Sequence, residues 1–460
     1  MTDMRDDLLS SPDSAAYRAA TTPRNATVVQ RPAMVAQARS ADDVVDAVRW
    51  AAQHDLRVAV QASGHGAGAQ IGADHLLVDT SGLNSVDVDV AGRVARVGTG
   101  ATWSAVNAVA ERDGLLGLAG SSPTVGVAGF TFGGGVGYLT RPHGMASSAL
   151  LAVDYVDGNG QTRRATEDAD DVVDREALWA YRGGGGVGVA TALTVELVEP
   201  RELWAGYQLW SIDALESVAE AWADAMTQIG EALSTTLSVL HTPPGAPVFP
   251  PALQGVPVVH LSFASPEGAE AARPLLEALQ GAPQPAVDSS WAPADAARLA
   301  QIHLDPPNAV AALGMGRWLG QDGFGAASAM LSAAAAPDSP LAMVELRNLD
   351  NAASTRDGAL TAVPGPLLLH AVGNAADDSA RTRIEDGLAG LRDTAATADL
   401  GRSAAPFADG RAADPGGLNQ SQLSRLGGIA AAVDPDRRFA PTRILGSTTE
   451  VPTQRLSSDE

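Results

Sequence analysis

Hydrophobic residues recur along the chain with two different spacings, which predicts both helices and strands. Residues 42–52 and 379–394 have the spacing of an amphipathic helix. Residues 86–89 alternate strictly, as a half-buried strand does. Short apolar runs at 57–62 and 190–198 are also typical of strands. Because these short helices and strands are interspersed, the sequence predicts an α+β fold.

The pattern after residue 200 predicts a second unit, a sheet with helices on one side. The predicted helices are two neighbours within residues 212–240, followed by residues 266–280, 324–335 and 379–394. The predicted strands cover residues 256–263, 343–347 and 366–372. Proline cannot donate to a sheet ladder, so Pro257 predicts an edge position for the first of these strands.

Composition limits the classes of partner. The chain has 460 residues, more than one ordinary core, so two or three domains are expected. Its net charge of −23 argues against nucleic acid or an anionic membrane as the main partner. The absence of cysteine excludes disulfides and cysteine-held metals, and no metal site is expected. The sequence shows no leader pattern and no apolar run of the ~18 residues that span a membrane, so we expect a cytoplasmic protein. We also expect a monomer or a homodimer.

Glycine is concentrated in three clusters, at residues 62–68, 126–137 and 182–189. Glycine lets the backbone approach a ligand closely and adopt positive φ. Three such clusters between strand-like runs predict one extended cofactor that lies along the main chain. The first cluster contains His65, within a Ser-Gly-His-Gly run whose backbone N–H groups could bind an anion.

The third cluster also matches a dinucleotide fingerprint, Gly183-x-Gly185-x-x-Gly188. That fingerprint follows a strand and opens a helix. Here the predicted helix comes before the glycines and the predicted strand comes after them. The reversed order disfavours a nicotinamide-only dehydrogenase.

Four blocks in order resemble the flavoproteins of the vanillyl-alcohol oxidase and p-cresol methylhydroxylase superfamily, in its berberine-bridge-enzyme-like and 6-hydroxynicotine-oxidase-like branch. The blocks are Gln-Ala-Ser-Gly-His at 61–65, Ser-Pro-Thr-Val-Gly-Val-Ala-Gly at 122–129 with glycines to 137, Trp-Ala-Tyr-Arg-Gly-Gly-Gly-Gly at 179–186, and Asn419 with Asp-Pro-Asp-Arg-Arg-Phe at 434–439. The resemblance implies a two-part FAD-binding domain and a substrate domain with an antiparallel sheet backed by helices. It also implies FAD bound covalently through His65, as a single attachment.

The resemblance assigns cofactor contacts to residues of these blocks. They are Gln61, Ser63, Gly64, His65, Gly66, Ser122, Thr124, Val125, Gly126, Gly129, Gly133, Gly134, Gly135, Gly137, Val189 and Asn419.

The chain departs from the family pattern at several places, including the phenylalanine usual after the glycine run, which is absent here. Ser122 stands where many members carry a second flavin-linking cysteine. Gln61 replaces an arginine of the family's histidine block. The C-terminal Tyr-x-Asn element becomes Gly417-Leu418-Asn419, so the tyrosine that often serves as the base is missing there.

The same resemblance predicts how the chain is divided. We expect an N-terminal tail at 1–24, the FAD-binding domain at 25–200 and the substrate domain at 201–405. A segment at 406–446 would return to the FAD domain, and 447–460 would form a C-terminal tail. The implied reaction is removal of hydride from a bulky small molecule (an alcohol, amine, phenol or hydroquinone), with oxygen as electron acceptor. The alternatives are a flavin-fold sequestering or drug-resistance protein with little turnover, and a non-redox cyclase.

A protein base must then come from elsewhere in the chain, unless the substrate, such as a hydroquinone, needs none. Tyr207 is the only tyrosine after residue 200. The candidate catalytic residues are Glu345 and Arg347, on one face of a predicted strand, and His370 on the next strand. The simpler interpretation of each is a solvated strand face or a buried ion pair. Weaker candidates are His241, His260 and His303.

Overall fold

The computed structural model describes residues 8–290, 293–306, 308–353 and 356–446. Three sheets organise this part of the chain. The predicted tail at 447–460 and the first seven residues lie outside it.

The first sheet has four strands in the order β1-β2-β4-β3. They are β1 (Leu9–Ser10), β2 (Met34–Gln37), β3 (Arg57–Gln61) and β4 (His75–Asp79). The last three are parallel, and β1 pairs antiparallel with β2. Two helices accompany this sheet, α1 (Ala15–Ala20) and α2 (Ala41–Gln53).

Residues 8–20 are therefore not the loose tail that the sequence predicted. Leu8 is 1% exposed, and Tyr17 is buried with its hydroxyl donating to the Pro32 carbonyl at 2.8 Å. Ser14 caps α1 by accepting the Tyr17 backbone N–H. The segment is ordered because it adds a strand to the sheet and buries these two side chains.

The second sheet is antiparallel, with five strands in the order β5-β6-β9-β7-β8. They are β5 (Val86–Asp89), β6 (Val94–Gly98), β7 (Leu150–Val156), β8 (Thr162–Ala165) and β9 (Val189–Glu196). The helices of this region are α3 (Trp103–Ala110), α4 (Val127–Phe132), α5 (Thr140–His143) and α6 (Val172–Tyr181). These two sheets together form the two-part arrangement that the resemblance implied.

The third sheet has eight antiparallel strands in the order β13-β10-β12-β11-β15-β16-β14-β17. They are β10 (Trp204–Ser211), β11 (Ser234–His241), β12 (Pro257–Ser265), β13 (Val287–Asp288), β14 (Ala312–Leu319), β15 (Met343–Asn348), β16 (Leu367–Asn374) and β17 (Asp399–Ser403). The later helices are α7 (Leu215–Ala225), α8 (Arg273–Ala278), α9 (Ala296–Leu299), α10 (Asp322–Gly325), α11 (Ala327–Leu331), α12 (Asp378–Ala395) and α13 (Gln420–Val433).

Period-two alternation decides which side chains of this sheet meet the helices. Leu237 and Val239 of β11, and Val344 and Leu346 of β15, are buried in one apolar cluster with Trp222 of α7. The intervening positions point to the opposite face. The sheet is thus backed by helices on one side, as predicted, and its other face is free to form a site.

Several predicted elements differ in detail. Residues 234–241 are a strand rather than helix, because their alternating threonine, serine and aliphatic residues complete the sheet. The predicted helices at 266–280 and 324–335 are each broken into short helical pieces. Pro257 does not mark an edge, since β12 lies between β10 and β11. As the first residue of its strand, it interrupts no ladder within the sheet.

Candidate active site

A cavity of about 2680 Å³ lies between the glycine-rich loops and the third sheet. Ligand pockets commonly measure about 300–1,000 Å³. The space is therefore large enough for an extended cofactor and a second molecule beside it. Its wall combines residues 57–69, residues 120–126 and side chains of the antiparallel sheet.

Most of the predicted cofactor contacts line this cavity. They are Gln61, Ser63, Gly64, His65, Gly66, Ser122, Thr124, Val125, Gly126, Gly129 and Gly133. The structure thus brings the first two glycine blocks together, although about sixty residues separate them in sequence.

Glycines in this wall leave bare main chain facing the space. A Cβ added at Gly129 would meet nothing within 4 Å, and one at Gly66 would meet only the Arg443 guanidinium, at 3.5 Å. Gly64 has φ +69°, and its added Cβ would lie 2.6 Å from Pro23 Cβ, so a side chain is excluded there. Open main chain beside a long cavity fits a dinucleotide that lies along the backbone. The residues present therefore fit FAD.

Five predicted cofactor contacts lie outside the cavity lining: Gly134, Gly135, Gly137, Val189 and Asn419. The three glycines serve chain packing. Added Cβ atoms would meet Met145 at 2.8 Å, Phe130 at 2.7 Å and the Ala119 carbonyl at 1.9 Å, respectively.

The other two members of that group have structural positions of their own. Val189 is fully buried in the core beneath the first sheet. Asn419 is the N-cap of α13, where its side chain accepts the Gln422 N–H at 3.0 Å and the Gln422 side chain bonds back to the Asn419 backbone. This reciprocal capping box satisfies a helix end rather than a ligand.

His65 is held at one of its two ring nitrogens. Nε2 lies 2.9 Å from the Thr124 hydroxyl, and that hydroxyl lies 3.4 Å from Ser122 Oγ. Burial lowers the pKa of His65, the Arg24 cation lowers it further, and Asp305 and Asp409 offset part of this. A neutral imidazole at pH 7 follows, which is the nucleophilic form.

Gln61 uses its side chain within the protein. Its amide nitrogen donates to the Ala20 carbonyl at 2.7 Å, so it ties β3 to the end of α1. The residue that replaces the family's arginine therefore anchors the N-terminal helix beside the cavity.

The candidate catalytic residues share the free face of the third sheet. Glu345 and His370 are direct cross-strand partners on β15 and β16. Arg347 lies two residues along β15, and its guanidinium is 5.0 Å from the Phe407 ring. Arg347 and His370 line the cavity, whereas Glu345 does not.

Glu345 is fully buried and has partners at both oxygens. Oε2 lies 2.6 Å from His303 Nε2, and Oε1 accepts the Arg347 Nε–H. His303 Nδ1 in turn lies 2.9 Å from Asp305 Oδ1. Within the described residues both oxygens of this carboxylate are occupied and the residue lies outside the cavity lining, so its catalytic role stays a prediction. Its simpler interpretation, a buried ion pair, matches the observed contacts.

The charges of this cluster shift its pKa values in opposite directions. Burial alone would lower the pKa of His303, but the carboxylates of Asp305 and Glu345 outweigh burial and raise it to about 10. Burial would likewise raise the pKa of Glu345, and the Arg347 and His303 cations hold it far below its usual range. Two carboxylates and two cations therefore form a neutral network at pH 7.

The weaker histidine candidates have different surroundings. His260 is fully buried, with Nε2 on the Ile302 carbonyl at 2.9 Å and Nδ1 3.0 Å from Ser238 Oγ. Burial and the His303 cation lower its pKa to about 4, so it is neutral. His241 lines the cavity and bonds the Ala334 carbonyl at 2.9 Å.

His370 supports an acid that the sequence interpretation missed. Its Nε2 lies 3.0 Å from Asp409 Oδ2, and its Nδ1 is buried without a hydrogen bond in the described part of the chain. The side chain of Asp409 is 24% exposed and lines the cavity. Asp409 sits in an irregular Ala-Asp-Gly loop after Phe407, where no periodic pattern could have singled it out.

The sequence comparisons agree with this geometry. Residues 32–166 match the FAD binding domain family. (R)-6-hydroxynicotine oxidase of Paenarthrobacter nicotinovorans is 32% identical over 225 residues, which are 48% of this chain and 48% of that protein. Aclacinomycin-N/aclacinomycin-A oxidase of Streptomyces galilaeus is 38% identical over 163 residues, 34% of this chain and 30% of that protein. The chain thus spans half or less of the length of these curated relatives.

Solved structures extend the likeness in fold to nearly the whole chain. 6-Hydroxy-D-nicotine oxidase from Arthrobacter nicotinovorans superposes with a TM-score of 0.76 at 22% identity, covering 95% of this chain and 96% of that one. Physcomitrella patens BBE-like 1 gives 0.77 at 19% identity, with 95% and 96% covered. These likenesses show that the chain has the fold of vanillyl-alcohol-oxidase-type FAD-binding proteins. Residues 32–166 carry an FAD-binding domain, and the similar proteins include 6-hydroxynicotine oxidase and a berberine-bridge-enzyme-like protein.

Proposed function

We propose that this chain is an FAD-dependent oxidoreductase that takes hydride from a bulky small molecule and passes the electrons to oxygen. The observation that carries the proposal is the single cavity wall in which the FAD-binding loops face the polar side of the third sheet. Bound FAD supplies the two-electron acceptor, and the protein supplies position and electrostatics. The substrate classes are alcohols, amines, phenols and hydroquinones.

The chain's own residues divide into two groups in this proposal. His65 tethers the cofactor as its single covalent link, and the bare main chain of residues 63–68 and 122–129 holds the remainder. On the sheet side, Arg347 offers a guanidinium whose Nη1 makes no hydrogen bond within the described residues. A substrate oxygen is a suitable partner for it.

Asp409 is the proton acceptor in this proposal. It is a partly exposed carboxylate in the cavity wall, and its Oδ2 lies 3.0 Å from Nε2 of the buried His370. A hydrogen bond from His370 orients the carboxylate while one oxygen stays open to a substrate hydroxyl. His370 thereby acts as a positioning residue rather than as the base. The missing C-terminal tyrosine is then replaced by an acid from the same returning segment.

Anaerobic reduction tests this function. The purified full-length protein should carry flavin absorbance, and a panel of alcohols, amines, phenols and hydroquinones should contain compounds that bleach it without oxygen. Admission of air should restore the colour and yield one hydrogen peroxide per bleached flavin. A protein that binds FAD and ligands but is bleached by no class of compound would instead be a sequestering protein. A bleached flavin that stays reduced after air is admitted would remove oxygen as the acceptor.

Asp409→Asn and His370→Asn separate the two proposed roles. The first should slow bleaching by about 10²-fold or more, the usual contribution of a positioned base. The second should slow it less, because the carboxylate remains and loses only the hydrogen bond that orients it. Equal rates for Asp409→Asn and wild type would exclude Asp409 as the base.

A further inference from the structure

The imidazole of His65 is hydrogen-bonded through one of its two ring nitrogens within the described part of the chain. Nε2 is bonded to Thr124 at 2.9 Å, and within the described residues no group hydrogen-bonds Nδ1. His65, Thr124 and Ser122 all line the cavity. The unbonded nitrogen Nδ1 therefore belongs to a side chain of the cavity wall, where a cofactor would lie.

The direction of the Thr124 hydrogen bond determines which nitrogen carries the proton. A hydroxyl has one hydrogen to donate and two lone pairs to accept with. Ser122 Oγ, 3.4 Å from Thr124 Oγ1, can accept the threonine proton. Thr124 Oγ1 is then left to accept from Nε2–H of the imidazole. In a neutral imidazole, a proton on Nε2 leaves the lone pair on Nδ1.

We propose that Thr124 is a positioning residue for cofactor attachment, which holds His65 in the Nε2–H tautomer and so makes Nδ1 the atom that bonds the flavin. Ser122 supports this arrangement by accepting the Thr124 hydroxyl proton. The position that carries a second linking cysteine in many relatives thus keeps a polar role in this chain. This inference rests on the proposed FAD binding at the same cavity.

The attachment step balances without a further cofactor. One C–H bond of the flavin 8α-methyl group breaks and a bond forms between that carbon and Nδ1. The imidazole loses its Nε2 proton, and the isoalloxazine ring gains two electrons and two protons. Dioxygen then takes both electrons and both protons and becomes hydrogen peroxide, which leaves oxidised, covalently bound flavin.

Two substitutions at Thr124 separate the hydroxyl from the shape of the side chain. Thr124→Ser keeps the hydroxyl, and Thr124→Val keeps the branched shape and removes it. The loss of one hydrogen bond corresponds to about a fivefold change in a rate. We expect acid-stable flavin to form about fivefold more slowly in Thr124→Val than in wild type and Thr124→Ser. Ser122→Ala should fall between them, and His65→Ala should form none.

The experiment follows acid-stable flavin as a fraction of total flavin during incubation of each purified full-length protein with FAD in air. Total flavin absorbance reports binding, fluorescence on a denaturing gel reports the covalent bond, and NMR of the flavin peptide identifies the bonded nitrogen. Slow attachment in Thr124→Val at unchanged total flavin, with the wild-type bond on Nδ1, supports the proposal.

Three outcomes would overturn it: attachment in Thr124→Val at the wild-type rate, a wild-type bond on Nε2, or wild-type flavin that acid releases completely. In the last case, intact FAD binding would leave the proposed oxidoreductase in place. A wild-type protein that binds no FAD would overturn the proposed function as well. If Thr124→Val fails to fold, the comparison of Ser122→Ala with wild type tests the same hydrogen-bond chain.

Discussion

His303 Nε2 lies 2.6 Å from Glu345 Oε2, and the other oxygen of that carboxylate accepts from Arg347. Glu345, the strand residue that most resembles a catalytic acid, thus has both oxygens engaged within the protein. Removing one partner of a buried charge pair leaves the other charged group without compensation in a low-dielectric site. Through this network Glu345 holds His303 and Arg347, two side chains of the cavity wall.

Glu345→Gln should lower the free energy of unfolding by about 3–5 kcal/mol, the usual cost of breaking a buried pair from one side. The substitution preserves shape but leaves Arg347 and His303 without their shared carboxylate. Urea unfolding measures the loss. Glu270→Gln is the matched control, because Glu270 is 77% exposed and pairs with Arg273 at 2.7 Å on the surface. It should change stability by less than about 1 kcal/mol. Similar values for the two variants would contradict the buried-network interpretation.

The pH dependence of stability should report the imidazolium of His303. Its pKa rises from 6.5 to about 10 on folding, so its contribution is complete below pH 6.5 and is lost as the pH rises toward 10. The carboxylate of Glu345 has a lowered pKa, so its contribution is present above its ordinary value of 4.5 and is lost in acid. Unfolding free energies of wild type and His303→Asn, measured from pH 6 to 10, should converge as the pH increases. A constant difference over that range would show that His303 does not titrate there.

Sequence patterns predicted the elements that depend on glycine-rich backbone or on the period-two alternation of strands. The glycine blocks marked the cavity wall at residues 63–66 and 122–129, and alternation placed Arg347 and His370 on one face of a sheet. Residues 234–241 also alternate between polar and apolar positions, but they were assigned to a helix, so this strand was not predicted. The partners of Glu345 could not be predicted, because the His303 loop reaches it only after the chain folds across 42 residues.

Glycine patterns alone could not distinguish glycines that contact a ligand from glycines that allow close chain packing. Substitution of one glycine of each kind measures the difference. Gly129→Ala adds a methyl group that meets no protein atom within 4 Å, inside α4. It should leave stability unchanged or raise it by up to ~1 kcal/mol, since alanine favours helix. Gly137→Ala places its Cβ 1.9 Å from the Ala119 carbonyl and should destabilise the fold by about 1–3 kcal/mol.

Flavin content separates the same two variants. Because the Gly129 methyl group would project into space reserved for the cofactor, we expect FAD affinity to fall by about tenfold, the equivalent of about 1.4 kcal/mol. Folded Gly137→Ala should keep the wild-type affinity. Both glycine variants are made in a His65→Ala background, where no covalent bond forms and the flavin can be removed mildly. Thermal melting then measures stability, and FAD titration measures affinity. Undiminished affinity in Gly129→Ala would place the cofactor elsewhere in the cavity.

Asn419 offers a test of whether a family-derived cofactor contact serves the fold instead. Its side chain and that of Gln422 close the start of α13, so Asn419→Ala should cost about 1 kcal/mol of stability, as loss of an N-cap usually does. Asn419→Ser keeps an oxygen at the cap and should restore most of that loss. Both variants should retain the wild-type flavin content, because the residue lies outside the cavity lining. Loss of a helix cap lowers the melting temperature, whereas loss of a ligand contact lowers the flavin content. A variant with normal melting but depleted flavin would therefore return Asn419 to the cofactor site.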